Sequence, residues 1–266
     1  MVDMVLETTQ PVQFFVQKKY VSHSVYTDIQ IIKKFDYSFK ISNDIEKIHM
    51  FYHSMYLPMI QKRHGDHLLY TPPFVFLKYL KEAGYKLLLI MDNTDAPVSG
   101  VYFHETPKEM FIRYAGILNG DMSLMNKGAS AAYYYYSILY AEDKGIEKVN
   151  VGGVRPFFGD GVFQYKRKWG LKVVKTDGAG YPEICGLYIP PCGSPLEQFL
   201  IDNPFIGVDE KNNHVGYFFF IEREQITIEQ KKMLHEKYAT PGIEKFQFIS
   251  FDEYCGGKIE KMRSVI

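Results

Sequence analysis

Little in this sequence supports a disulfide-built, metal-built or membrane-embedded protein. Its three cysteines, Cys185, Cys192 and Cys255, are an odd number, scattered, and without the C-x-x-C spacing of a zinc ribbon. A reducing, cytoplasmic compartment is the expectation. No apolar run approaches the ~20 residues needed to cross a bilayer. The opening MVDMVLETTQ has no basic region followed by an apolar stretch, so neither secretion nor membrane insertion is expected. An excess of one charge is also lacking, since 31 Lys+Arg balance 31 Asp+Glu. No long-range field marks the whole chain as a binder of nucleic acid or membrane, which leaves room only for a local basic site.

The common chemical motifs are missing too. His49-x-x-x-His53 has Met50 where a zinc protease needs glutamate, and His64-x-x-His67 has only Asp66 beside it. Both read as surface, and no metal is expected. Gly159-Asp160-Gly161 runs on to Gln164 where a dinucleotide fingerprint needs glycine, and no Walker or nucleophile-elbow sequence occurs.

What is present is apolar mass, 46% of 266 residues, enough for one large core or two small ones. Aromatics are abundant, with 21 Tyr and 20 Phe, and four tyrosines run from Tyr133 to Tyr136. Four consecutive helical residues point around most of a helix, so this run reads as core packing against two layers rather than base stacking.

Along the chain, Asp28 to Phe35 and Tyr37 to Ile41 read as early strands, and Asn43-x-x-Glu46 as a capping box opening a helix that Pro58 interrupts near Met55 to Leu57. A second helix follows Pro72-Pro73. Lys86 to Met91 and Val98 to His104 form a hairpin around Asp92 to Pro97, with Glu109 to Ile117 as a third strand. A helix from Gly128 to Asp143, stopped by Gly145, leads into the strand Lys148 to Val151, ended by Gly152-Gly153. Gly161 to Trp169 is a short helix before the strand Leu171 to Val174. This order predicts an α/β fold whose mixed sheet carries helices on both faces. Beyond the loop Ile189 to Gly193, a smaller α/β unit reads as a helix from Ser194, the strands Val215 to Ile221 and Phe246 to Phe251, and a helix capped by Thr227-x-x-Gln230.

Three ordered segments carry a resemblance. They are the helix end Tyr140-Ala141-Glu142-Asp143-Lys144-Gly145, the strand Val149-Asn150-Val151-Gly152-Gly153, and Gly161-Val162-Phe163-Gln164-Tyr165-Lys166-Arg167-Lys168-Trp169-Gly170. Together they resemble the second half of a GNAT-like acyltransferase fold in its FemAB-like branch, the last segment matching that family's aromatic-Lys-x-x-aromatic-Gly element. The resemblance covers roughly residues 27 to 190. It implies a GNAT-like domain over 1–190, followed by a C-terminal α/β extension over 191–266. It also implies transfer of an acyl or aminoacyl group to an amine.

The same resemblance places Lys166 at the transfer centre, where it would steady the reacting carbonyl oxygen; the competing reading is a solvated basic face with Arg167 and Lys168. Tyr165 would be the general acid or a core residue. Glu105, ending a strand beside His104, would accept the amine proton directly or through water, or else be a charged strand end. A helix N-terminus with small residues suits donor phosphates, so Asn126, Lys127, Gly128, Ala129 and Ser130 are the expected cofactor contacts or an ordinary packed helix start. The family's acyl-CoA signature is not present in clear form there. Arg155 and Asp160 serve acceptor recognition or loop anchoring. Arg113, a charge inside an apolar strand, pairs with an acceptor carboxylate or a structural acid.

The expected activity is N-acyl transfer by direct attack, from acyl-CoA to a small-molecule or peptide amine. The first alternative is aminoacyl transfer from tRNA, against which stand the single visible GNAT-like half and the neutral charge. The second is a non-catalytic module holding a ligand in the same cleft.

Overall fold

The computed structural model describes residues 1–8, 23–65, 71–78, 85–174, 194–221 and 226–251. Their elements begin with β1 (Val2–Glu7), α1 (His23–Lys34), β2 (Ser38–Ser42) and α2 (Ile45–Phe51). A π-helical turn (Tyr52–Tyr56) joins α2 to α3 (Leu57–His64), and α4 (Pro73–Lys78) follows. Next come β3 (Tyr85–Met91), β4 (Pro97–Glu105), β5 (Glu109–Ile117), α5 (Met122–Asn126), α6 (Ala129–Asp143), β6 (Lys148–Val154), α7 (Gly161–Lys168) and β7 (Lys172–Val174). The remainder is α8 (Ser194–Asp202), β8 (Phe205–Val208), β9 (His214–Phe220), α9 (Ile228–Tyr238) and β10 (Lys245–Ser250). A seven-stranded mixed sheet has the order β2-β3-β4-β5-β6-β1-β7, and a three-stranded sheet the order β10-β9-β8. The chain forms two compact units, Leu6–Gly152, and Met1–Val5 together with Gly153–Ile266.

In the unit Leu6–Gly152, β2 to β5 pair antiparallel and β6 joins β5 in parallel. Alternation along β4 sends side chains to two helical layers. On one face Ser99 donates to the Ala129 carbonyl of α6 at 2.9 Å, and Phe103 meets Tyr140 edge-on. Tyr136 of the same helix lies tilted against Phe39 of β2 and donates to the Tyr37 carbonyl. On the other face Tyr102 packs on Phe76 of α4 within a cluster holding Phe51, Tyr52, Met55, Tyr56 and Leu87. Helices therefore cover both faces. A β-bulge lies in β5, where Tyr102 pairs with Tyr114 and Phe103 with Ile112, leaving Arg113 between them.

Pro58 has no N–H to continue the helical ladder. The helix does not break there but widens into the π turn, with the Leu57 amide bonding the Tyr52 carbonyl. That turn sits on bare backbone: a Cβ built on Gly116 would lie 2.6 Å from the Tyr56 nitrogen and 2.7 Å from the Met55 carbonyl carbon.

In the other unit β1 pairs antiparallel with β7, Asp3 opposite Val174. Its small sheet joins β8 to β9 antiparallel and β9 to β10 in parallel. Phe205, Tyr217, Phe219 and Phe251 fill one face of that sheet, and Phe218 meets Phe158, Tyr238, Phe246 and Phe248 on the other. Thr227 and Gln230 form the reciprocal capping box at the start of α9.

Several expectations need correcting. Asp28 to Phe35 is not a strand but most of α1, because Val25, Ile29 and Ile32 recur at helical spacing and are the buried residues of that helix. The cap of α2 is Asp44, not Asn43; its side chain accepts from the Glu46 amide. Gly152 and Gly153 do not end β6, which runs through them to Val154. The three cysteines, His67 and the loop Ile189 to Gly193 lie outside the described residues.

Candidate functional site

Lys166 sits on α7, and the way that helix is held determines what its ammonium faces. Asp160 caps the helix, one carboxylate oxygen accepting from the amides of Val162 at 2.9 Å and Phe163 at 3.0 Å. The other oxygen faces both Arg155 Nε, at 2.8 Å, and its terminal nitrogen, at 2.6 Å. Gln164 donates to the Phe158 carbonyl, and Phe158 and Phe163 are fully buried. At the far end Arg167 donates to the Lys237 carbonyl at 2.9 Å, Trp169 is 1% exposed, and Gly170 adopts φ +78. Both ends of α7 are thus fixed to their own unit.

Of the three consecutive basic residues, only Lys166 is buried, at 4% exposure. Its Nζ donates to the Gly153 carbonyl at 3.5 Å. Burial pushes its ammonium down to about 8, against the opposing pull of Asp3 and Asp160. Lys168 lies instead over the Tyr165 ring, 4.3 Å from the centroid. The basic run is therefore not one solvated face. Tyr165 is half-buried.

Glu105 belongs to the other unit and has partners of its own. Its carboxylate pairs with Lys86 of β3 and accepts from the Tyr140 hydroxyl at 2.7 Å. Lys86 also reaches that hydroxyl, at 3.3 Å. The hydrogen bond to Glu105 raises Lys86, and burial followed by its own hydrogen bond to Glu105 raises Tyr140. His104 faces the opposite side of β4, its ring 4.9 Å from Tyr85. Arg113 is exposed at the β5 bulge.

The start of α6 packs against α1. Gly128 is its N-cap, with φ +84, and a Cβ there would lie 2.9 Å from Ile31 of α1. Gly128, Ala129 and Ser130 are buried, while Asn126 and Lys127 are exposed.

Of the expected site residues, the structure joins Arg155 to Asp160 and places Lys166 among the charges of Asp3 and Asp160. Glu105 is joined to Lys86 and Tyr140, neither of which its own sequence neighbourhood singles out. Asp3 is likewise unmarked in the sequence, since its charge acts on Lys166 only once β1 has folded beside β7. Among the described residues, no cluster of three or more His, Cys, Asp or Glu side chains could hold a metal ion. None of their helices is long and apolar enough to cross a membrane.

A mixed seven-stranded sheet with helices on both faces, its parallel β5–β6 pair followed by α7, defines a GNAT-like α/β fold of FemAB-like type. FemX shares that fold, with a TM-score of 0.51 and 12% identity over 65% of this chain and 59% of FemX. Weaker likenesses are L-PGS from Bacillus licheniformis (TM-score 0.41, 10% identity, 57% of this chain and 46% of that one) and the C-terminal domain of a putative lysylphosphatidylglycerol synthetase from Agrobacterium fabrum (0.38, 11%, 57% and 46%). The chain therefore spans roughly half the length of these structures. No family model and no curated protein matches the sequence.

Proposed function

We propose that the protein is a transferase that moves an aminoacyl or other acyl group onto an amine, by direct attack of the amine nitrogen on the donor carbonyl. The observation that carries this reading is Lys166. The lysine of the aromatic-Lys-x-x-aromatic-Gly element is buried while Arg167 and Lys168 beside it are only partly so. Keeping a cation buried costs stability, and a cost retained at that position fits a group that acts on charge. As the amine attacks, negative charge gathers on the carbonyl oxygen, and an ammonium already stripped of water stabilises it without reorganisation. Collapse of the intermediate breaks the bond to the leaving oxygen or sulfur, which takes up the proton that the amine gives up.

For the donor, an aminoacyl group carried on tRNA is the better-supported choice, with acyl-CoA as the alternative. The start of α6, where phosphates of acyl-CoA would be expected to bind, is packed against Ile31 of α1, and the FemAB-like fold points the same way. The acceptor is a small-molecule or peptide amine.

Thermal unfolding with uncharged tRNA, coenzyme A and acetyl-CoA tests the donor. A ligand at ~100 times its dissociation constant adds ~2.7 kcal/mol, a readily measured rise in melting temperature. A rise with tRNA alone supports the reading, and a rise with coenzyme A alone reverses the choice of donor. No rise with any of them favours a module that binds its ligand without chemistry.

A further inference from the structure

Two opposite charges lie beside Gly153. A Cβ built on it would lie 3.2 Å from an Asp3 carboxylate oxygen, and the Lys166 ammonium bonds its carbonyl at 3.5 Å. The carboxylate reaches this point from β1 and the ammonium from α7, and the missing side chain of residue 153 leaves the carboxylate its room. We infer that Asp3 is a positioning residue for Lys166: its carboxylate is the counter-charge that keeps the buried ammonium charged and aimed across Gly153.

Asp160, Arg167 and Lys168 have contacts of their own. Asp160 divides its two oxygens between the Val162 and Phe163 amides and the Arg155 guanidinium, so much of its charge is spent on capping α7. Arg167 is directed to the Lys237 carbonyl and Lys168 to the Tyr165 ring. On β7, the exposed Lys172 lies opposite Val5, on the same face of the strand pair as Asp3. Burial alone favours the neutral amine. Asp3 and Asp160 oppose that tendency, Asp3 the more strongly. An ammonium that lost its proton could not stabilise an oxyanion, so Asp3 widens the pH range over which Lys166 can act. That consequence rests on the proposed function; the pairing of charges does not.

The two are tested separately. In protein labelled with 13C-lysine, the ε-carbon resonance of Lys166, assigned by its loss in Lys166→Met, is titrated by NMR in wild type, Asp3→Asn and Asp3→Glu. The titration midpoint should fall by about one pH unit or more in Asp3→Asn and return toward wild type in Asp3→Glu, which restores the charge but not the shape. A midpoint unchanged in folded Asp3→Asn, or lowered equally by both substitutions, overturns the inference. If Asp3→Asn loses its fold, Asp3→Ser makes the same measurement. Where transfer is observed, the limb of the pH–rate profile that reports Lys166 should move with the NMR midpoint. Transfer that survives Lys166→Met would refute the proposed function and leave the titration to decide on Asp3.

Discussion

Replacing Lys166 by methionine should move activity and stability in opposite directions. Loss of an oxyanion-stabilising cation lowers turnover by ~10²-fold or more with little change in donor affinity. Steady-state rates of Lys166→Met beside Lys168→Met make the comparison. The Lys168 contact over Tyr165 is worth only about 0.5–1 kcal/mol, so its loss should leave turnover nearly unchanged. Equal small effects would remove Lys166 from the chemistry. Stability follows from the depressed titration of Lys166. Between about 8 and the ordinary 10.5 the unfolded chain holds a proton that the folded chain has released, so stability rises with pH through that window. At neutral pH the full cost is present, about 3 kcal/mol. Urea unfolding should therefore find Lys166→Met more stable than wild type at pH 7, with the difference shrinking as pH climbs past 8. A variant less stable at pH 7 would mean that the ammonium is held by more than it costs.

At the scale of elements, the π turn and the strand beneath it fit because residue 116 has no side chain. Gly116→Ala drives a Cβ against Tyr56 and Met55 backbone, which cannot swing aside as a side chain can. Overpacking of this kind costs about 1–3 kcal/mol, and a melting temperature lower by several degrees is the expected reading. At the start of α6, Gly128→Asp cannot serve as a clean probe of phosphate binding, since positive φ and contact with Ile31 strain any side chain there. Lys127→Glu, on an exposed residue, is the fair test: an unchanged response to coenzyme A and tRNA would take this helix start out of the donor site. The meander β3–β4–β5, the helix α6 and the capped α9 were legible because turn residues, strand alternation and caps are local signals. Segment α1 was not, because Ile29, Ile31 and Ile32 favour strands by composition while only their spacing declares a helix. Strands β1 and β8 carry no local signal either: β8 is short and contains glycine, and β1 is buried on both faces, so neither alternates. Within the candidate site, the Lys166 element could be read because its residues are consecutive. The partners Asp3, Lys86 and Tyr140 could not, since each meets its charge through the fold.

For the molecule as a whole, 31 cations against 31 anions make any association with tRNA a local affair. If tRNA is the donor, its affinity should fall as salt is added, with a slope counting the few phosphates engaged. Affinity indifferent to salt between 50 and 200 mM, about the range where such contacts weaken, would argue against tRNA. The unit built from Met1–Val5 and Gly153–Ile266 has a further consequence, one of time rather than energy. Asp3, Met4 and Val5 pair with Val174, Val173 and Lys172, so a segment made early must wait for a strand made much later. Closing so long a loop is slow because its entropy is lost before any contact repays it. In pulse-labelled refolding, the backbone amides of β1 should gain protection after those of the β3–β4 hairpin. Lys166 would then acquire its counter-charge among the last events of folding, so a chain that has formed only its local structure would carry the lysine without the carboxylate that sets it.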